Sequence, residues 1–241
     1  MSTLRNEIVL LYMMQGVHNL LVDYSNQRSM LTKFKDYQDY ITAQTVEGLS
    51  HETDSETWTN GQIRCINEKF KDVPTHYKIL IVSCGDGVCL KQLKTLGFTH
   101  VTGLEIADEK IAIAQKINPN IIKTDICSGP FNLTDKYDVI YSSHTLEHVL
   151  YPEYTMKELT KFIKPDGTIH MILPYPDRGA ADPNNVHRFR VHCGIIPLGL
   201  HIEDKGKTTC ETFTNMGFDI INHSFHSYRE NEIHLVMKKR L

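Results

Sequence analysis

Apolar and polar positions follow one rhythm in the first quarter of the chain and another after it. Over residues 5–23 apolar side chains fall at helical spacing (Ile8, Leu11 and Tyr12, then Leu20 and Leu21), which predicts an amphipathic helix ending near Asn26. A second helical stretch covers 30–47, and a polar, turn-rich segment follows at 49–61. A third helix is expected over 61–73, with Ile63, Ile66 and Phe70 facing one way and Trp58 just ahead of it, as an anchor for the cap or a cover for a ligand. From Lys78 the pattern shortens to a continuous apolar run, KILIVSC, closed by Gly85 and Gly87, then a helical VCLKQLKTLGF and a strand-like VTGLEI. The unit recurs as the helix EKIAIAQKI, the strands IIKTDI and YDVIYSS, the helix PEYTMKELTKFI, the turn KPDG and the strand TIHMILP. A last helix and two strands, CETFTNMGFDIINHSF and NEIHLVMKK, suit an antiparallel hairpin at a sheet edge.

Alternation of this kind makes an α/β fold, a doubly wound, mostly parallel sheet with right-handed crossovers. The expected division is an N-terminal helical cap, residues 1–59, and an α/β domain, residues 60–241. At 41% hydrophobic and 23% charged residues, the chain of 241 can bury a core and lies far from disorder. A net charge of -3 supplies no global field for a polyanion, so no nucleic-acid partner is expected.

Six cysteines without a C-x-x-C pair read as reduced thiols. The apolar stretch from Ile8 to Val22 is too short and too polar for a membrane span and lacks a signal-peptide cleavage site. The expectation is a cytoplasmic protein (host cytoplasm for a viral gene) without a membrane partner; the sequence leaves room for a homodimer.

An open α/β sheet binds ligands beyond the carboxyl ends of its strands, first of all at the first βα turn, here Ser83-Cys84-Gly85-Asp86-Gly87. Glycines there let a backbone approach a ligand and aim the next helix N-terminus at it. A dinucleotide fingerprint would need a third glycine where Leu90 stands, while a ribose-gripping carboxylate is available as Glu105 at the end of the next strand. With these residues the chain resembles the class I S-adenosylmethionine-dependent methyltransferases over residues 60–237. ILIVSCGDG, VTGLEI, IKTDI, YDVIYSSHTLEHV and FIKPDGTIHMILP fall in the family's order. Two positions depart from the pattern: Ile81 stands where the first strand usually ends in an acid, and Ser83 replaces the first glycine. The cofactor's amino group thereby lacks its usual indirect anchor, which keeps a weakened or degenerate site open.

The resemblance implies S-adenosylmethionine as cofactor, held by Ser83, Cys84, Gly85, Asp86 and Gly87. Glu105 would take the ribose hydroxyls and Asp125 the adenine amino group, with Ile106 and Ile126 packed on the ring and Ser142 completing the set. Plainer roles are a surface charge for Glu105 and a helix or turn cap for Asp125.

After the fourth strand comes Ser142-Ser143-His144-Thr145-Leu146-Glu147-His148. Were a helix to open here, His144, Glu147 and His148 would share a face. They could then bind a divalent metal such as Mg or Mn, with Asp182 and His187 completing the ligands, or His144 could act alone as general base. His187 stands beside His144 as a catalytic candidate in the polar loop 174–194, whose Asp177, Arg178, Arg188, Arg190 and His192 suit an acceptor-binding loop. Glu147 and His148 can equally serve only the neighbouring loop through hydrogen bonds.

The resemblance implies methyl transfer to an oxygen of a small molecule, and within the family the SSHTLEH string and the polar His-bearing loop after it look most like methyltransferases of sugar and glycan pathways, which suggests a sugar, nucleotide-sugar or glycan hydroxyl. RNA or protein methylation is the first alternative, disfavoured by Tyr141-Ser142-Ser143-His144 in place of an Asn/Asp-Pro-Pro-aromatic motif. A non-catalytic, methyltransferase-like binding or scaffold protein is the second, suggested by Ile81 and Ser83.

Overall fold

The computed structural model describes residues 56–127, 131–149, 152–175, 204–229 and 231–240, all within the unit Gln44–Leu241. The helices expected over 5–23 and 30–47, and the polar loop beyond Tyr175, lie outside the described residues. In chain order the elements are α1 (Glu56–Phe70), β1 (Ile79–Val82), α2 (Val88–Thr95), β2 (Val101–Glu105), α3 (Asp108–Ala114), β3 (Ile121–Lys123) and β4 (Tyr137–Ser143). A 3-10 turn (Leu146–His148), α4 (Pro152–Leu159), β5 (Ile163–Pro174), α5 (Lys207–Asn215), β6 (Phe218–His226) and β7 (Glu232–Lys239) complete them.

The seven strands form one sheet in the order β3-β2-β1-β4-β5-β7-β6. Neighbours from β3 to β5 run parallel, whereas β7 is antiparallel to both β5 and β6. The expected mostly parallel, doubly wound sheet with a C-terminal antiparallel hairpin is therefore the fold observed. Every residue of β1 is buried, which is why its sequence is a continuous apolar run: helices cover both faces. One face joins Leu80, Val82, Ile140, Met171 and Leu235 to Met156 and Leu159 of α4 and Phe213 of α5. The other joins Ile79, Ile81 and Tyr141 to Cys65, Ile66 and Phe70 of α1 and Leu90 and Leu93 of α2. Burying each large aliphatic side chain in these layers contributes about 1.5–3 kcal/mol relative to leaving it in water.

Three local readings change. First, α1 begins at Glu56, so Trp58 lies inside the helix and Gly61 in its interior. The Asn60-Gly61 pair looks like a turn, but packing overrides it: a Cβ at Gly61 would sit 2.4 Å from Arg229 Cγ and 2.7 Å from the Tyr228 carbonyl oxygen. Glycine at this helical position costs about 1 kcal/mol relative to alanine and is what lets the 228–229 backbone come this close. Second, the KPDG turn is absorbed into β5 as a bulge, pairing stepping from Tyr137–Ile163 to Val139–Thr168. Lys164 folds back there onto the Asp138 carboxylate at 2.8 Å. Third, no α-helix opens at Ser142. The chain leaves β4 through His144, whose φ of 49° is left-handed, and makes only the 3-10 turn.

Among the described residues, Cys65, Cys84, Cys89, Cys127 and Cys210 form no disulfide with one another. Also among the described residues, no helix is long and apolar enough to cross a membrane.

Candidate active site

Register sets the geometry of the sheet's carboxyl edge. Val82 pairs with Leu104 of β2 and with Ser142 of β4, so Ser83, Glu105 and Ser143 leave the sheet side by side. The strand order reverses between β1 and β4, the point at which an open α/β sheet leaves a crevice. Ser83 (φ 54°), Gly85 (φ 56°) and Gly87 (φ 96°) all take left-handed backbone, so the turn after β1 curls sharply and delivers α2 with Gly87 as an N-cap lacking a side-chain bond.

Glu105 is the hinge of this edge. Its Oε2 accepts the Gly85 N–H at 2.9 Å, and its Oε1 accepts those of Ile106 and Ala107 at 2.8 and 3.1 Å. The carboxylate is buried, and these bonds fix its orientation while leaving Oε2 a further acceptor position. It is therefore a structural clamp on the glycine turn and an oriented acceptor with a position left on Oε2. At the end of β3 the Asp125 Oδ1 accepts the Cys127 N–H at 2.8 Å, a turn cap that also orients the carboxylate. Ile126 is buried and Ile106 partly buried beside these acids; Ser142 is buried level with Val82.

Ile81, in the place of the family's acid, is 1% exposed and packs in the layer with Cys65, Cys84 and Tyr141. Ser83 is exposed at the mouth of the turn.

Beyond β4 the polar groups form one connected cluster. His144 is held by its backbone N–H on the Ile172 carbonyl at 3.0 Å, its Nδ1 lies 3.3 Å from Glu147 Oε1, and its Nε2 lies 3.1 Å from Glu232 Oε1. Arg229 donates from Nε to Glu232 Oε1 at 2.7 Å and from Nη2 to Ser143 Oγ at 2.9 Å. Its guanidinium lies 5.0 Å from the centre of the Trp58 ring, which in turn meets the His144 ring edge-on at 5.1 Å. His234 Nε2 is 2.8 Å from Glu232 Oε2. Burial alone would push the Glu232 carboxyl up, but hydrogen bonds from His144 and His234 and the Arg229 charge outweigh it and hold the group well below the usual carboxylate range. Two other polar groups under the site are inert: burial raises the Tyr141 hydroxyl well above its ordinary value and the Cys65 thiol to about 11.

The structure thus brings together Ser83 to Gly87, Glu105, Ile106, Asp125, Ile126 and Ser142 along one edge, with His144 and Glu147 at its far end. The shared face expected for His144, Glu147 and His148 does not form, because the left-handed residue at 144 and the 3-10 turn replace the helix. Among the described residues, no group of three or more His, Cys, Asp or Glu side chains is placed to hold a metal ion. Asp182 and His187 lie outside the described residues. Sequence reading missed Arg229, Glu232 and His234. The available signal was Glu232 and His234 two apart, on one face of a strand whose middle, Leu235 to Met237, is apolar.

Comparison with known proteins supplies the context for this edge. Residues 80–171 match the model of a family described as a methyltransferase domain. The mitochondrial ubiquinone biosynthesis O-methyltransferase of Dictyostelium discoideum is 28% identical over 128 residues, 45% of this chain and 40% of that protein. Cycloartenol-C-24-methyltransferase of Arabidopsis thaliana is 26% identical over 154 residues, 60% of this chain and 45% of that protein. The chain thus matches less than half the length of these curated relatives. Among solved structures, magnesium protoporphyrin IX methyltransferase from Synechocystis with bound S-adenosylmethionine superposes with a TM-score of 0.55 at 14% identity, covering 84% of this chain and 94% of that one.

Proposed function

We propose that this chain, which carries a class I S-adenosylmethionine-dependent methyltransferase domain, transfers a methyl group to an oxygen of a small molecule. The observation that carries the reading is the buried Glu105 carboxylate, tied to Gly85 beside the β1–β4 crevice and oriented to accept hydroxyl hydrogens. When bound, S-adenosylmethionine supplies an electrophilic methyl on a sulfonium sulfur, which keeps the C–S electron pair when the acceptor oxygen takes the methyl.

The chain's own part is to bind, orient and move one proton. Glu105 takes ribose hydroxyls, Asp125 the adenine edge, and Ile106 and Ile126 flank the ring. At the other end of the edge His144 takes the proton that the acceptor hydroxyl loses, and the resulting imidazolium sits between Glu147 and Glu232. Positioning supplies most of the rate for such an in-line displacement. His187 and the segment that follows Tyr175 take part in acceptor binding.

The relatives named for ubiquinone and sterol synthesis support a small-molecule acceptor. A sugar or glycan hydroxyl is the narrower form of the reading, drawn from the likeness of the SSHTLEH string and the polar His-bearing segment after it to sugar and glycan methyltransferases. Incubation with S-adenosylmethionine and a panel of catechols, phenols, sterols and sugars, followed by mass spectrometry, tests it. The expected result is S-adenosylhomocysteine formation together with one methylated hydroxyl compound. Cofactor binding with transfer only to RNA or protein would overturn it.

A further inference from the structure

Trp58 is the chain's single tryptophan, and methyl transfer as described leaves it without a role. We propose that it is an acceptor-binding residue: its indole, braced by Arg229 just past the end of β4, is a wall on which a planar aromatic ring of the acceptor stacks. The proposal rests on the methyl-transfer reading and deepens it by naming a residue that selects the acceptor.

A tryptophan in α1 could simply fasten that helix to the sheet, but other residues do so. Cys65, Ile66 and Phe70 are buried and join the layer of Ile79, Ile81 and Tyr141. Among the described residues, Trp58 belongs to neither apolar layer. It lies about two turns before Cys65, where its ring meets polar groups instead: the His144 ring edge-on at 5.1 Å and the Arg229 guanidinium at 5.0 Å. The Arg229 side chain is fully buried and that of His144 is 7% exposed, whereas Trp58 keeps part of its surface open. An incoming molecule therefore reaches Trp58 before the charged groups behind it.

The ring is also held in place. Arg229 donates to Glu232 Oε1 at 2.7 Å and to Ser143 Oγ at 2.9 Å, so its guanidinium cannot leave the indole without breaking both bonds. Gly61, one turn along α1 from Trp58, admits Arg229 to this position, since a Cβ there would lie 2.4 Å from Arg229 Cγ. A wall fixed beforehand loses little side-chain freedom when the acceptor arrives. Charge then decides the class of ring. A cation over the indole draws on its π electrons, which favours an electron-rich partner, a phenol or catechol, in an offset stack. A sugar is bound instead through several hydrogen bonds, and the Arg229, Glu232, His144 and Glu147 side chains are at most 7% exposed and turned to one another. An aromatic hydroxyl therefore suits this end of the site better than the sugar of the narrower reading.

A single tryptophan makes the test direct, because emission excited at the red edge of its absorption reports Trp58 alone. In the full chain saturated with S-adenosylhomocysteine, catechol and p-cresol are each expected to quench that emission saturably, and methyl β-glucoside to leave it unchanged. No saturable change with either phenol overturns the proposal, and a saturable change with the glucoside overturns the aromatic assignment; neither result needs a variant to fold. By calorimetry, Trp58→Leu is expected to bind catechol about tenfold more weakly than the wild type, with Trp58→Phe recovering most of the loss. Equal affinity in a folded Trp58→Leu protein also overturns the proposal. Binding of S-adenosylhomocysteine to the wild type, measured first, separates the two claims: its absence defeats the methyl-transfer reading, and the emission titration without it then judges ring binding by itself.

Discussion

At the scale of single residues, the two departures from the family pattern have different physical meanings. Ser83 holds a left-handed φ of 54° that glycine adopts without strain, and its side chain is exposed, so nothing in the core depends on it. Ser83→Gly is expected to relieve about 1 kcal/mol of backbone strain, offset in part by glycine's larger unfolded-state entropy. That gives a net rise in melting temperature of about 1–3 °C at this size, readable by calorimetry. Ile81 is the opposite case, because it fills the layer beneath α1. Restoring the family acid as Ile81→Asp buries a carboxylate among apolar side chains, and a fall in melting temperature with no gain in cofactor affinity is the expected outcome. The glycine turn and Glu105 were legible in the sequence because glycine geometry and a strand-end carboxylate are local signals. That Glu105 also clamps Gly85 through hydrogen bonds was not, since it needs the register of β1 against β2.

At the scale of elements, α1 and the C-terminal hairpin are bound to one another through the site. Gly61 is the contact point, its missing Cβ leaving room for Arg229 and the Tyr228 backbone, and the Tyr228 hydroxyl bonds the Glu68 carboxylate farther along α1. Gly61→Ala improves helix propensity by about 1 kcal/mol yet must displace backbone at 228. Lower stability despite better propensity is therefore expected in thermal melts, together with a changed His144 environment by NMR; a more stable protein would show that the contact yields freely. Periodicity revealed nearly every strand and helix of the α/β region, since those segments carry their burial pattern in their own composition. It failed where distant chain decides the outcome. Asn60-Gly61 reads as a turn until the 228–229 segment is in place, and the residues after Ser142 read as helix until His144 is drawn to Ile172 and Glu232. Arg229 and Glu232, separated from His144 by more than eighty residues, meet it only through the pairing of β7 with β5.

At the scale of the whole molecule, two buried histidines among the described residues contribute to the response to acid. Burial, with Lys69 nearby, lowers His170 to about 4; for His234 burial likewise dominates and outweighs the hydrogen bond to Glu232, again giving about 4. Both folded values lie below the ordinary 6.5, so the unfolded chain binds protons first as the pH falls. Stability is therefore expected to be full above pH 6.5 and to decline between 6.5 and about 4, by an amount on the order of 3 kcal/mol per histidine. Melting temperatures across that range check it, and His170→Gln should flatten the slope. The proposed function at this scale rests on the sheet edge running from Asp125 past Glu105 and the glycine turn to His144. The measurement that tests it most directly is calorimetric titration of S-adenosylmethionine, and separately of NADH, into the wild type and Glu105→Gln. One S-adenosylmethionine site in the wild type, weakened tenfold or more in the variant with no heat from NADH, is the expected result, corresponding to the roughly 1.5–3 kcal/mol carried by a charged hydrogen-bond acceptor. No S-adenosylmethionine binding to the wild type, or equal binding to a folded Glu105→Gln protein, would contradict the assignment of this edge as the cofactor site.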